Sequence, residues 1–231
     1  MKKLKAFSFV EMLITLGVMS IVMLIATQTL NTVFKVSTMT QLKTMTKNEV
    51  SFAMDLTEKL LANSNVVDVY IYDTDQIRYY DEETGEIYSE LSQDDLEIEY
   101  ANSLSTGLTG TEIHIRPYGY NFWVCLGYFK EEEDSSTGYF VKRTRITLPN
   151  GHMSCFDTDD DLDDYPVLVL NSENVNVNYF QVSYIKSSDI NNVFYVDMQM
   201  EPSTWIPGDS ATVEKSVFRQ AIVTTQGLTW Y

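Results

Sequence analysis

The chain has 231 residues and a formal net charge of −17, from 16 basic and 33 acidic side chains. This length accommodates one membrane segment and one medium globular domain with a core of its own. An acidic surface repels nucleic acid at long range, and no cluster of Lys or Arg offsets that repulsion. The nearest approach to a cluster, Lys142, Arg143 and Arg145, alternates along a predicted strand and is therefore divided between its faces. We expect no nucleic-acid partner.

The N-terminal segment joins a basic leader to a long apolar run. Lys2, Lys3 and Lys5 precede the run, which extends from Phe7 to about Leu30 and is long enough to cross a bilayer as a helix. A cleaved secretory signal is the rival interpretation, but such a signal has a shorter apolar core and a small-residue cleavage pattern that Ala26 to Gln28 fits poorly. We expect a retained helix with a cytoplasmic N-terminus, because the positive charge precedes it.

The remainder of the chain is expected to be exported, and it is more acidic than the whole. Without the three leader lysines it has 13 basic and 33 acidic side chains, a net charge of −20. Glu11 is the one ionisable side chain between Phe7 and Phe34. An isolated charge in the hydrocarbon region of a membrane costs several kcal/mol on most scales. Either Glu11 snorkels to the cytoplasmic interface, one turn from the helix start, or another chain compensates its charge.

The segment Lys5-Ala6-Phe7-Ser8-Phe9-Val10-Glu11, followed by Met12-Leu13-Ile14-Thr15-Leu16, resembles the N-terminal signature of type IV pilins and pseudopilins. The resemblance implies that a prepilin peptidase cleaves between Ala6 and Phe7 on the cytoplasmic side and that Phe7 is then N-methylated. It departs from the family at Ala6, where Gly is most common. It also implies an assembly role for Glu11, whose carboxylate would meet the terminal amine of a neighbouring subunit in the filament core.

The family resemblance implies a non-enzymatic structural subunit of a type IV pilus, or fimbrium, of a type II secretion filament or of a competence filament. The implied partners are the prepilin peptidase, other pilin subunits, the inner-membrane assembly platform and the membrane itself, with no cofactor. Its location would be the cytoplasmic membrane, with the head periplasmic or extracellular, and the cell surface after assembly. A mature chain of 225 residues, 231 minus 6, is long for a major pilin. Three late strands resemble in layout those of J-class pseudopilins and W-class minor pilins, which favours a minor subunit: Val175 to Tyr184, Val193 to Met200 and Phe218 to Thr224.

Helical periodicity continues beyond the apolar run. From Asn31 to Ala62 no Pro or Gly interrupts a stripe of apolar residues spaced by three, four or seven: Val33, Val36, Met39, Leu42, Met45, Phe52, Leu56 and Leu60. A helix from Phe7 to Ala62 has 56 residues and a length of roughly 84 Å, too long for a membrane span alone. We therefore predict four segments: a leader (1–6), a transmembrane or filament-core half-helix (7–30), an amphipathic half-helix (31–62) and an exported β-rich head (63–231).

From Val66 onwards, short β-rich runs joined by polar links predict antiparallel meanders. No second amphipathic helix separates them, which argues against parallel βαβ units. The fold class is α+β, a long N-terminal helix packed on a C-terminal antiparallel head, as in the lollipop shape of pilins. The predicted strands are Val67 to Tyr72, Ile77 to Tyr80, Ile87 to Tyr88, Leu96 to Tyr100, Glu112 to Arg116, Tyr120 to Phe129, Tyr139 to Leu148, Val175 to Ile185, Val193 to Met200 and Val213 to Thr224.

Cys125 and Cys155 are the two cysteines of the chain. In an exported domain they can form a disulfide that closes a loop of 31 residues counted inclusively and stabilises the fold by about 2–4 kcal/mol. Cys125 also lies in an aromatic strand, where a reduced Cys serves as a small buried hydrophobe. Both interpretations remain open at this level.

Other candidate chemistry is sparse. The acidic segment Asp157 to Asp164 begins with the alternation of a calcium loop, but Leu162 replaces the required Gly and Leu168 takes the place of the last ligand. An EF-hand loop is excluded, and a solvated acidic loop is favoured over an irregular calcium site. His114 and His152 are the only histidines, and no catalytic motif surrounds either. We expect no enzymatic activity; the alternative to a pilin is a membrane-anchored exported binding module that uses the helix only as an anchor.

Overall fold

The computed structural model describes residues 8–73, 78–89, 99–100, 108–133, 135–146, 155–156, 165–186, 192–204 and 215–225. The predicted cleavage residues Ala6 and Phe7, the acidic segment Asp157 to Asp164 and His152 lie outside these ranges. The chain divides into two compact units, Met1–Leu42 and Lys43–Tyr231. The described elements are α1 (Phe9–Ala62), β1 (Ser64–Asp73), β2 (Arg78–Asp81), β3 (Glu86–Ser89), β4 (Glu99–Tyr100), β5 (Leu108–Gly110), β6 (Glu112–Pro117), β7 (Trp123–Lys130), β8 (Gly138–Arg145), β9 (Leu168–Val169), β10 (Val175–Lys186), β11 (Asn192–Pro202) and β12 (Val217–Thr224).

The described part of the first unit is helical from Phe9 onwards, and its apolar side chains are exposed as far as Val36. Its hydroxyl groups bond back to the helix itself: Ser20 donates to the carbonyl of Leu16 and Thr27 to that of Met23. These bonds satisfy polar groups that an apolar medium would otherwise leave unpaired. By length and composition the helix is able to cross a membrane. It is therefore compatible with a single-pass anchor.

The second unit contains two sheets and the C-terminal part of α1. The larger sheet has the order β3-β2-β7-β6-β1-β4, with β8 beside β7 and β9 beside β8. The smaller sheet has the order β12-β11-β10-β5. The sheets approach each other closely at β5, where a Cβ on Gly110 would clash with the carbonyl oxygen of Tyr72 in β1. The predicted fold class, α+β with a long N-terminal helix and an antiparallel β-rich head, is confirmed.

The larger sheet buries both of its faces. One face joins the smaller sheet and α1 in the main core, where β6 contributes Ile113 and Ile115 and β7 contributes Val124 and Leu126. The alternate residues of β7 point to the opposite face, where a second apolar cluster surrounds the two cysteines. Its members are Tyr80, Ile87, Trp123, Cys125, Phe129, Tyr139, Val141, Cys155 and Phe156.

The buried stripe of α1 lies about one residue after the predicted one, which is a rotation of roughly 100° about the helix axis. Met45, Leu56 and Leu60 are only partly buried, and Phe52 is 55 % exposed. Val33 and Val36 are exposed as well. The fully buried helix positions recur at helical spacing: Thr46, Val50, Ala53, Met54, Thr57 and Leu61. The predicted set of buried helix positions was wrong because hydropathy gives little weight to Thr46, Ala53 and Thr57. These side chains are small, and small side chains permit the helix to approach the sheets closely.

Two further details of the sheets were not predicted. β2 and β7 pair in parallel, with Tyr79 beside Lys130, whereas the sequence predicted antiparallel pairing throughout. This pairing joins the β2–β3 hairpin to the end of β7 rather than to a sequence neighbour. The short strands β5 and β9 were also missed, because strands of two or three residues carry no measurable alternation.

Candidate functional site

Glu11 lies in the first turn of α1 and is exposed. Its Oε2 accepts a hydrogen bond from the backbone N–H of Ser8, with the nitrogen and oxygen 3.4 Å apart. The carbonyl of Ser8 accepts the first helical bond, from the N–H of Met12 at 3.1 Å, so Ser8 occupies the N-cap position. The spacing Ser8-Phe9-Val10-Glu11 is that of a capping box. Glu11 therefore caps the start of α1, and a carboxylate at this end also complements the helix dipole.

Cys125 and Cys155 form a disulfide with a Cα–Cα distance of 6.2 Å. Both residues are completely buried in the second apolar cluster. The bond joins β7 to a segment that follows β8, and the guanidinium groups of Arg143 and Arg145 donate to the carbonyl of Cys155 at 3.3 and 3.4 Å. The structure thus favours the disulfide over a free buried thiol.

Loss of the disulfide is expected to lower the free energy of unfolding by about 2–4 kcal/mol, because the unfolded chain gains the entropy of a 30-residue separation. The measurement is denaturant unfolding of the full chain in detergent, oxidised and after reduction. The Cys125→Ala/Cys155→Ala variant is the control and should unfold at the same denaturant concentration with or without reductant. Equal stability of oxidised and reduced native chain would contradict the prediction.

A buried polar cluster lies beside the disulfide. Nε2 of His114 contacts Oε1 of Glu112 and lies 3.3 Å from the backbone nitrogen of Cys155. The guanidinium of Arg78 is 3.8 Å from Oε2 of Glu112, so the buried carboxylate has a cationic neighbour. The His114 ring also packs on Tyr72, with centroids 4.2 Å apart. This arrangement ties β6 to β2 and to the disulfide, as expected for a structural histidine.

The same cluster contains the only group of potential metal ligands found among the described residues. The donor atoms of His114, Cys125 and Cys155 all lie within 4.8 Å of one another. Metal binding by cysteine requires the thiolate, and the disulfide engages both sulfur atoms. In the oxidised chain the two sulfur atoms therefore stabilise the fold and are not available as thiolate ligands.

A cleft of about 740 Å³ opens on the second unit, and we call it the acidic cleft. Four separate segments line it: the end of β2, the β7–β8 connection, the β9–β10 connection and the end of β11. Four carboxylates belong to its lining: Glu82, Glu131, Glu173 and Glu201. The rings of Tyr80 and Tyr139 also line the cleft and pack at a tilt of 54°, with their centroids 4.8 Å apart.

Hydrogen bonds from two asparagine side chains hold the walls of the acidic cleft together. Asn171 accepts from the N–H of Phe140 at 2.8 Å and donates to the carbonyl of Val175 at 2.8 Å. Asn176 accepts from the N–H of Gly138 and donates to the carbonyl of Ser136. Asn171 thus ties the β9–β10 connection to β8, and Asn176 ties β10 to the β7–β8 connection.

The pKa values of the two tyrosines of the acidic cleft are both raised. Burial, followed by the negative charges of Glu82 and Glu131, raises the pKa of Tyr139 to about 12. Burial, followed by the charges of Glu82 and Asp81, also raises the pKa of Tyr80. Both shifts favour the neutral phenol and are consistent with a negative potential in the cleft.

The free energy of unfolding is expected to fall as the pH rises from about 10 to about 12. The unfolded chain releases the Tyr139 proton near pH 10, whereas the folded chain holds it to a pKa of about 12. Above pH 10 the unfolded state therefore binds fewer protons, and stability decreases with pH. Denaturant unfolding at several pH values tests this, and Tyr139→Phe should show a shallower decline. Identical pH profiles for the two chains would contradict it.

Comparisons with family models, with curated proteins and with solved structures find no match for this chain. The assignment of a function therefore depends on the residues and geometry described above. Of the predicted site residues, the structure describes Glu11, Cys125 and Cys155, and it brings the two cysteines together. Two features were missed: the Ser8 cap, which the Ser-x-x-Glu spacing indicates, and the acidic cleft, for which no local pattern exists.

Proposed function

We propose that the chain is a minor pilin or pseudopilin, a non-enzymatic subunit that enters a type IV pilus, type II secretion or competence filament through its N-terminal helix. The observation that carries the proposal is the combination of one carboxylate, Glu11, with an exposed apolar helical segment whose helix continues without a break to Ala62 in the second unit. A simple membrane anchor needs neither the carboxylate nor the added helical turns.

Glu11 has the geometry for a pairing role. Its one contact among the described residues is the Ser8 N–H, which occupies Oε2, so Oε1 is available to a further donor. A carboxylate and an ammonium group attract far more strongly in an apolar filament core than in water, and each removes the cost of leaving the other unpaired. The proposed donor is the terminal amine of Phe7 in a neighbouring subunit.

Processing precedes assembly in this proposal. A prepilin peptidase removes residues 1–6 at the Ala6–Phe7 junction, Phe7 is N-methylated, and an inner-membrane platform then inserts the subunit into the filament. The Ser8 cap survives the cut, because the Ser8 N–H belongs to the Phe7–Ser8 peptide bond. The acidic head stays on the exported side of the membrane.

Intact-mass measurement of the membrane-extracted protein tests the processing step. We expect the loss of residues 1–6 and the addition of one methyl group to Phe7. Expression without a prepilin peptidase provides the control and should give the uncleaved mass. An uncleaved mass in the native host would contradict the proposal and favour a membrane-anchored exported binding module, the alternative function of a chain with the acidic cleft on its head.

A further inference from the structure

We propose that the acidic cleft binds an extended organic cation, a ligand that carries ammonium or guanidinium groups at separated points. This inference concerns what the head binds and does not depend on assembly into a filament. It is based on the charge, aromatic lining, shape and rigidity of the cleft. A volume of about 740 Å³ falls within the range of small-ligand sites.

The carboxylates of the acidic cleft have no cationic partner among the described residues. Glu82 accepts a hydrogen bond from the hydroxyl of Tyr139 at 3.4 Å, and Glu131 accepts one from Ser135 at 3.2 Å. The side chains of Glu173 and Glu201 contact no polar group in the described part of the chain. Elsewhere in the head, Asp55, Asp68 and Glu112 have arginine partners. The cleft thus concentrates negative charge that the protein itself does not neutralise.

The aromatic lining adds a second, independent indication. Tyr80 is 7 % exposed, lines the cleft, and has a hydroxyl with no hydrogen-bond partner in the described ranges. A hydroxyl that is free in this way can donate to or accept from a ligand in the cleft. The faces of tyrosine rings also attract ammonium and guanidinium groups.

The carboxylates are too dispersed for one metal ion. A calcium site needs several oxygen atoms converging at about 2.3–2.6 Å from one point. No group of three acidic side chains in the described part of the cleft lies close enough to hold an ion. A ligand with cationic groups several ångströms apart fits this distribution, and a point charge does not.

The cleft is already formed without a ligand. Asn171 and Asn176 fix two of its walls, and Ser203 at the end of β11 donates its N–H to the carbonyl of Asn174 at 2.9 Å. Ser172, also in the lining, donates to the carboxylate of Glu49 on α1. Binding therefore requires little ordering of the protein, which favours affinity.

Calorimetric titration of the full chain in uncharged detergent tests the proposal, with spermidine, tetralysine and calcium chloride as separate probes. Physiological ionic strength limits the Debye length to about 8 Å, so that the general charge of the chain contributes little. We expect saturable binding of spermidine or tetralysine and weaker binding of calcium. Binding of spermidine alone identifies a free polyamine as the ligand type, and binding of tetralysine identifies basic side chains of a peptide.

The Glu173→Gln/Glu201→Gln variant should weaken the binding of the organic cation by about tenfold or more. The matched control, Glu83→Gln/Glu133→Gln, removes two exposed charges that do not line the cleft and should change affinity by less than about twofold. If the first variant fails to fold, Glu82→Gln/Glu131→Gln replaces it. Equal weakening by cleft and control variants, absence of saturable binding of either organic probe, or preference for calcium would overturn the proposal.

Discussion

Glu11→Gln is expected to reduce incorporation of the chain into filaments by more than about tenfold, while the protein still inserts in the membrane. The amide oxygen of Gln still accepts the Ser8 N–H, so the helix keeps its cap. The negative charge is lost, and with it the attraction to a neighbouring terminal amine, which in a dry core is worth more than the roughly 1.4 kcal/mol that corresponds to tenfold. Quantitative immunoblotting of sheared filaments against the membrane fraction measures the effect.

Two further variants separate the charge from the cap. Glu11→Ala removes both and should assemble no better than Glu11→Gln. Ser8→Ala keeps the charge and the backbone donor and should assemble nearly as well as the native chain. Normal incorporation of Glu11→Gln would show that an uncharged acceptor at this position is enough, and the pairing account would then be wrong.

Met54→Ala is expected to lower the free energy of unfolding of the head by about 2–5 kcal/mol, because the side chain is completely buried in the main core. Phe52→Ala is the matched control. It lies two positions away on the same helix, has a larger side chain and is 55 % exposed, so its loss should change stability by no more than about 0.5 kcal/mol.

Denaturant unfolding of the full chain in detergent measures both variants. If Phe52→Ala lowered the free energy of unfolding more than Met54→Ala does, the buried face of α1 would be the one predicted from hydropathy. That result would contradict the observed packing. The comparison thus tests which face of α1 lies against the sheets, because the sequence pattern includes the exposed Phe52 and omits the buried Met54.

Local patterns were sufficient for the main elements of the fold. The helix end at Ala62 follows from the polar segment Asn63 to Asn65, and the hairpin turn after Asp81 follows from its polar and glycine residues. The buried face of α1 was not predictable in this way, because Thr46 and Thr57 enter the core. Thr57 donates its hydroxyl to the carbonyl of Ala53 at 2.9 Å and so removes the cost of burial.

Prediction of the sites depended on how far apart their residues are in sequence. Glu11 was identified because its neighbours in the chain are apolar, and the cysteine pair because only two cysteines exist. The acidic cleft brings together Tyr80, Tyr139 and Glu201 from distant strands. Glutamates are common on an acidic chain, and only the approach of two sheets places these four around one cleft.

The contacts of α1 with late strands delay the folding of the head until most of the chain has been synthesised. The carboxylate of Glu49 bonds to Ser172, 123 residues later, and Asp55 pairs with Arg219 on β12 at 3.1 Å. The same strand contributes Ala221 and Val223 to the core that buries Met54. Before β12 has been synthesised, part of the helix is therefore uncovered. Contacts between residues so far apart in sequence also form slowly. Until that strand emerges, the growing polypeptide presents an apolar surface that chaperones bind and proteases attack.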